Sequence, residues 1–127
     1  MGYLCDDGDL VTEPLLVLLK AKEATFIDVG VAMYGRIFYQ SVFPDFLLGD
    51  VTKAELKAIL RRAFYWVLAD FHDYPYRSLD QLEDTIGTEV GVELIARDKI
   101  PDDGEQLAAF ITMTSNTGRW YRTEGRG

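Results

Sequence analysis

The sole histidine of the chain, His72, stands close to two aspartates, Asp70 and Asp73. A carboxylate beside an imidazole raises the pKa of the ring and orients it for proton transfer, so this spacing suits general acid and base chemistry. The same histidine follows a long helical pattern and precedes Pro75, and a cationic side chain is favoured where a helix ends. These three residues are the catalytic candidates, with an ordinary helix end as the preferred interpretation.

Aromatic residues supply the candidate binding positions. Trp66, Tyr74 and Tyr76 are near His72 in the sequence and would suit a pocket for a small-molecule ligand. Trp120 and Tyr121 stand between two arginines, a composition enriched at the energetic centres of protein interfaces. We predict these five aromatic residues as binding residues. Core packing is the competing explanation. For the second group, pairing with its own copy and stacking on single-stranded nucleic acid are two more.

Four basic residues follow one face of the predicted central helix. Lys53, Lys57 and Arg61 are spaced four apart, and Arg62 is the next residue. A solvated helix face is the preferred interpretation of such a stripe. The alternatives are an acidic partner, an anionic ligand or a single-stranded nucleic acid, whose binding would weaken steeply with salt.

The residue content gives little support to metal or cofactor chemistry. The chain holds one histidine and one cysteine, whereas a zinc site needs several such ligands at suitable spacing. The acidic stretches at 6–9 and 98–105 do not keep the register of a calcium loop, and the glycines form no phosphate-binding motif. We therefore expect no metal and no cofactor.

The charge balance and the apolar pattern restrict the partners. A net charge of -8 disfavours duplex nucleic acid, because phosphate neutralisation needs clustered basic residues in excess. The longest apolar stretch, at 26–39, is interrupted by charged residues and glycines, so we predict no membrane-spanning helix. The single cysteine, Cys5, excludes an intramolecular disulfide and suits a reducing compartment. We expect a soluble, cytoplasmic protein.

The first third of the sequence favours helices. A helix over about 13–23 begins with residues that suit a helix start. The segment 24–43 fits two templates: capping-box spacing favours a helix, whereas its glycines and β-branched residues fit a hairpin of 25–33 and 36–42. We prefer the helix.

The central helix has the clearest signals. Thr52 and Glu55 stand in capping-box register, and apolar residues recur at helical spacing after them. We predict a helix over about 53–71, amphipathic in its first half and buried on all sides in its second. A short helix over about 79–86 follows and ends at Gly87.

In the last third of the sequence, apolar residues recur at every second position instead of at helical spacing. Val90, Val92 and Leu94 alternate with polar residues, which predicts a strand, and residues 106–125 predict a hairpin after it. We therefore predict an α+β fold, a single globular domain over residues 1–127 whose helical first two-thirds pack against a small C-terminal antiparallel sheet. An all-α bundle is the alternative, because the same segments also suit helices.

No motif in the sequence specifies an activity. We predict a small acidic interaction protein that acts without catalysis through a protein surface, as a homodimer, on another protein, or both. Small inhibitors and immunity proteins belong to this class. The alternative is a small-molecule-binding protein or acid/base enzyme with an aromatic pocket near His72, and a cavity beside that histidine would favour it.

Overall fold

The computed structural model of the chain describes residues 15–70 and 79–120, and these two ranges contain helices and no strand. Within these described ranges six α-helices follow one another, and a π-helical segment joins the second to the third. Their bounds in chain order are 15–20 (α1), Thr25–Ile37 (α2), Phe38–Val42 (the π-helical segment), Phe43–Phe46 (α3), Lys53–Ala69 (α4), Leu79–Ala96 (α5) and Gly104–Trp120 (α6).

The α+β prediction is wrong, because the segment predicted as the first strand lies inside α5. Four apolar residues of α5 are fully buried at a spacing of four: Leu82, Ile86, Val90 and Leu94. Val92, in contrast, is exposed. The alternation therefore arises from a four-residue apolar repeat, which places one face of a helix in the core. Gly87 does not end this helix but lies within it.

The predicted hairpin is wrong as well, because residues 104–120 form α6. The backbone N–H groups of Glu105 and Gln106 donate to Oδ1 of Asp103 at 2.8 and 3.3 Å, which caps the start of this helix. Phe110, Thr114 and Gly118 recur every fourth residue and are buried. The described residues thus form the all-α bundle that was the alternative prediction.

The central helix is confirmed as α4. The backbone N–H of Glu55 donates to Oγ1 of Thr52 at 3.0 Å, the hydrogen bond that the capping-box spacing predicts. Residues 25–42 are helical, so the helix rather than the hairpin forms in this segment. The helix continues past Pro44, because this proline occupies the first turn of α3, where its missing N–H costs little.

The helices pack in two antiparallel pairs. In the first pair, Asp28 in the first turn of α2 binds Arg61 at the middle of α4, at 2.9 Å. In the second pair, Asp80 at the start of α5 binds Arg119 at the end of α6, at 3.0 Å. The second contact joins the beginning of α5 to the end of α6, and the first joins the beginning of α2 to the middle of α4.

Arg97, which follows α5, ties the two pairs together. Its Nε donates to Glu93 at 2.8 Å, and its Nη1 donates to Glu55 of α4 at 3.0 Å. These hydrogen bonds, first that of Glu93 and then that of Glu55, raise the pKa of Arg97 above its ordinary value. The bridge sits at the surface, so it contributes to helix orientation more than to stability.

One hydrophobic cluster contains residues of every described helix. Its centre is aromatic: the rings of Phe26 and Phe64 lie 5.3 Å apart, and those of Phe38 and Phe110 lie 5.6 Å apart. The first contact joins α2 to α4, and the second joins the π-helical segment to α6. The aromatic side chains therefore hold the two helix pairs on a common core.

Two glycines of α2 provide a matched test of its packing on α4. A Cβ at position 30 would lie 2.5 Å from Cε1 of the buried Phe64 ring, whereas a Cβ at position 35 would meet only Leu60, at 3.8 Å. We predict that Gly30→Ala destabilises the fold by about 1–3 kcal/mol, because the added methyl group overpacks the core. Gly35→Ala should stabilise it by up to about 1 kcal/mol, because alanine favours the helix.

Urea denaturation of the two variants and the wild type measures both effects on the free energy of unfolding. Both variants gain the higher helix propensity of alanine, but only Gly30→Ala also overpacks the core. The difference between their free energies of unfolding therefore measures the packing effect alone. Equal effects of the same sign at the two positions would contradict the contact between Gly30 and Phe64.

Candidate functional site

The predicted acid and base group falls mostly outside the described residues. His72 and Asp73 lie there, as do the aromatic candidates Tyr74, Tyr76 and Tyr121. Asp70 is described: it follows α4, is partly buried, and its backbone N–H donates to the carbonyl of Trp66 at 2.9 Å. The catalytic assignment of these residues stays a prediction of the sequence.

Trp66 is on the surface. Its side chain is 52% exposed, and the neighbouring Tyr65 is also exposed. The two rings contact each other edge to face at 6.3 Å. The prediction that the second half of α4 is buried on all sides is therefore wrong, because α4 is covered on two sides and presents these aromatics on a third.

The predicted basic stripe divides into two halves with different surroundings. Arg61 pairs with Asp28 at 2.9 Å, and Arg62 lies 3.6 Å from Glu93. The ammonium group of Lys53 instead lies over the ring of Tyr39, 5.6 Å from its centroid. The two arginines thus serve helix packing, whereas Lys53 and Lys57 face a depression between α2 and α4.

This depression has a volume of about 260 Å³, and we call it the basic pocket. Three cationic side chains line it, Arg36 from α2 and Lys53 and Lys57 from α4, beside the ring of Tyr39. The sequence stripe identified the two lysines but missed Arg36. That residue comes from a different helix, and only the packing of α2 on α4 brings it to the stripe.

A second and wider concavity runs along the outer face of α6. We call it the α6 groove; its volume is about 660 Å³, and it is open to solvent along its length. The residues that line it are small, polar or apolar, and none is charged: Ser41, Ala108, Ala109, Thr112, Met113, Asn116, Thr117 and Trp120. Trp120, predicted as a binding residue, stands at one end of the groove and is 50% exposed.

The groove exists because α6 uses its other face for packing. Gly87 and Gly91 of α5 allow the two helices to approach closely: a Cβ at position 91 would lie 2.6 Å from Leu107, and one at position 87 would lie 3.4 Å from the backbone of Ile111. Hydrogen bonds complete the contact, including one of 2.5 Å from the hydroxyl of Ser115 to Oδ1 of Asp84. The opposite face of α6, which carries short side chains, is left uncovered by the described residues.

A buried carboxylate lies where α2, α5 and α6 meet. Glu83 of α5 is fully buried, and its Oε2 accepts a hydrogen bond of 2.5 Å from the hydroxyl of the equally buried Tyr34. Gly118 of α6 packs directly against this carboxylate, and any side chain at that position would overlap it. Sequence reasoning missed Glu83 because it identified only the start of α5 as helical. The signal that it overlooked is a glutamate on the apolar face of the complete helix.

Two further kinds of feature are absent from the described residues. Residues 15–70 and 79–120 contain no group of three or more histidine, cysteine, aspartate or glutamate side chains placed to hold a metal ion. Among these same residues, no helix combines the length and the apolar character needed to cross a membrane.

Comparisons of the chain with protein-family models, with curated proteins and with solved structures give no match. The geometry nevertheless defines a class: a small helical bundle with a buried carboxylate, an uncharged groove on its last helix and a basic pocket between two others.

The buried carboxylate generates a prediction about stability. Tyr34→Phe removes the hydroxyl that donates to Glu83, so we expect the free energy of unfolding to fall by about 2 kcal/mol, the cost of a lost hydrogen bond to a buried group. The same substitution in a Glu83→Leu background should cost clearly less, because no carboxylate is present there. Thermal and urea unfolding of the four proteins in this cycle measure the coupling.

Proposed function

We propose that the protein is a non-catalytic interaction protein whose working unit is a homodimer, formed when a second copy of the chain occupies the α6 groove. The observation that carries the proposal is the absence of charge along this groove. Charged residues make up 27% of the chain, yet none is among the eight that line it. Interface centres are depleted of charge in the same way.

A second copy fits this groove for electrostatic reasons. Two chains of net charge -8 repel each other, and an uncharged face is where they meet at the smallest cost. The ends of α6 differ in charge: Asp102, Asp103 and Glu105 stand at its start, and Arg119 stands at its end. Arg119 is paired with Asp80 of its own chain, so the favourable contribution in an antiparallel pair of α6 helices comes from the opposed helix dipoles.

The side-chain sizes along α6 are also self-complementary. Ala108 and Ala109 lie near the start of the helix, and the half-exposed Trp120 is its last residue. In an antiparallel pair the indole of one copy packs over the alanines of the other, and a twofold axis forms this contact twice. Tryptophan is the residue type most enriched among those that dominate interface energetics.

Substitutions at exposed alanines test the dimer. We expect the wild type to associate with a micromolar Kd and Ala109→Arg to be monomeric, because the arginine puts a charge and a long side chain into the centre of the groove. Trp120→Ala should raise the Kd by about tenfold or more. Ala58→Arg is the matched control, since Ala58 is an exposed alanine of α4, and it should dimerise like the wild type.

Sedimentation equilibrium over a range of protein concentrations gives the Kd of each protein, and circular dichroism verifies that each variant is folded. A wild type that stays monomeric throughout the range would overturn the proposal. So would an Ala109→Arg variant that dimerises as tightly as the wild type.

A further inference from the structure

The basic pocket concentrates positive charge that the rest of the bundle leaves uncompensated. In the part of the chain that the structure describes, Arg36 is the one arginine without a carboxylate partner, since Arg61, Arg62, Arg97 and Arg119 each have one. The two lysines of the pocket, at 53 and 57, also make no ion pair with a described residue. Three unneutralised cations therefore converge on one depression in a chain of net charge -8.

Apart from the three cations and Gln40, the pocket is lined by apolar residues and the ring of Tyr39. Leu56 and Gly35 line the pocket between the cations, and the ring of Tyr39 forms one wall under the ammonium group of Lys53. An anion without an apolar part would leave this surface exposed to water. The lining thus suits a ligand with a charged head and an apolar body.

The pocket volume indicates a small ligand. The volume of about 260 Å³ is slightly below the range of roughly 300–1,000 Å³ that ligand-binding pockets enclose, which leaves room for a head group and a body of about one ring. A folded partner or a polymer chain would need a longer concavity. The basic pocket therefore favours a small molecule over a macromolecule.

The number and type of the cations indicate the head group. A guanidinium presents a planar fork of donors and each ammonium is a compact point charge, and together they match the several oxygens and the double charge of a phosphate. The pocket also lies at the amino-terminal end of α4, which begins at Lys53, so the helix dipole adds to the positive potential. We propose that the basic pocket is a binding site for a small phosphate monoester with an aromatic or aliphatic body.

Isothermal titration calorimetry and amide chemical shifts with phenyl phosphate as the probe test this site. We expect saturable binding, with the shifted amides clustered in α2 and at the start of α4. Inorganic phosphate, which has the head group alone, should bind about tenfold more weakly, because it buries no apolar surface. Binding should also weaken as the salt concentration rises.

Two neutral variants and one control locate the site. Arg36→Gln and Lys57→Gln should each raise the Kd for phenyl phosphate about tenfold, the effect of losing one charge-assisted hydrogen bond. Lys20→Gln makes the same change of charge at an exposed lysine of α1, outside the pocket, and should leave the Kd unchanged. Gly35→Ala should weaken binding by narrowing the apolar floor, although its added methyl group meets no close neighbour.

The outcomes distinguish a specific binding site from the nonspecific attraction of an anion to any exposed cationic side chain. Absence of saturable binding by the wild type would overturn the proposal, and so would an equal loss of affinity in Lys20→Gln and Lys57→Gln. Phosphate that binds as tightly as phenyl phosphate would also overturn it, because the apolar lining would then contribute nothing. The expected ranking supports it, and repeating the titration with the Ala109→Arg variant should give the same Kd.

Discussion

The buried hydrogen bond between Tyr34 and Glu83 sets the arrangement of the bundle. A carboxylate removed from water is stable only when protein groups replace its hydration, and Tyr34 supplies one of these groups from α2. Glu83 is itself fixed on α5, and the carboxylate leaves room on α6 only for a glycine, at position 118. Three helices must therefore keep one register, because a shift of any of them would separate the donor, the carboxylate or the glycine.

The two surface concavities follow from this arrangement. The inner face of α6 packs closely against α5. Its outer face carries alanine, threonine and asparagine side chains, which form a shallow groove. On the other side of the bundle, α2 and α4 are in tightest contact where Gly30 meets Phe64. They leave more space near Gly35, which is where the basic pocket opens. Both concavities are thus set by the positions of glycines in the helix contacts.

The sequence predicted elements whose signals are local and missed those that depend on partners. Helix α4 follows from a cap and an apolar repeat within its own residues. Helix α5 was misassigned because glycine is a poor helix former, and only the neighbouring α6 explains why Gly87 and Gly91 are tolerated. At the candidate sites, Trp120 and the lysines were identifiable by type and spacing. Arg36 was not, because its position beside the lysines arises from a contact between helices distant in sequence. Glu83 was missed because the apolar face of α5, on which it lies, was not recognised over the full length of the helix.

The π-helical segment Phe38–Val42 has a geometric consequence for the whole surface. A π-helical turn accommodates one more residue than an α-helical turn, so the side chains that follow it are rotated by about 100° relative to an uninterrupted α-helix. Before the π-helical segment, Gly35 faces Leu60 of α4; after it, Phe46 packs against Phe110 of α6, with ring centroids 5.5 Å apart. The one extra residue thus rotates the second part of a continuous helical rod, so that its two parts face different surfaces. Deleting that residue would place both sets of side chains on one face of the rod.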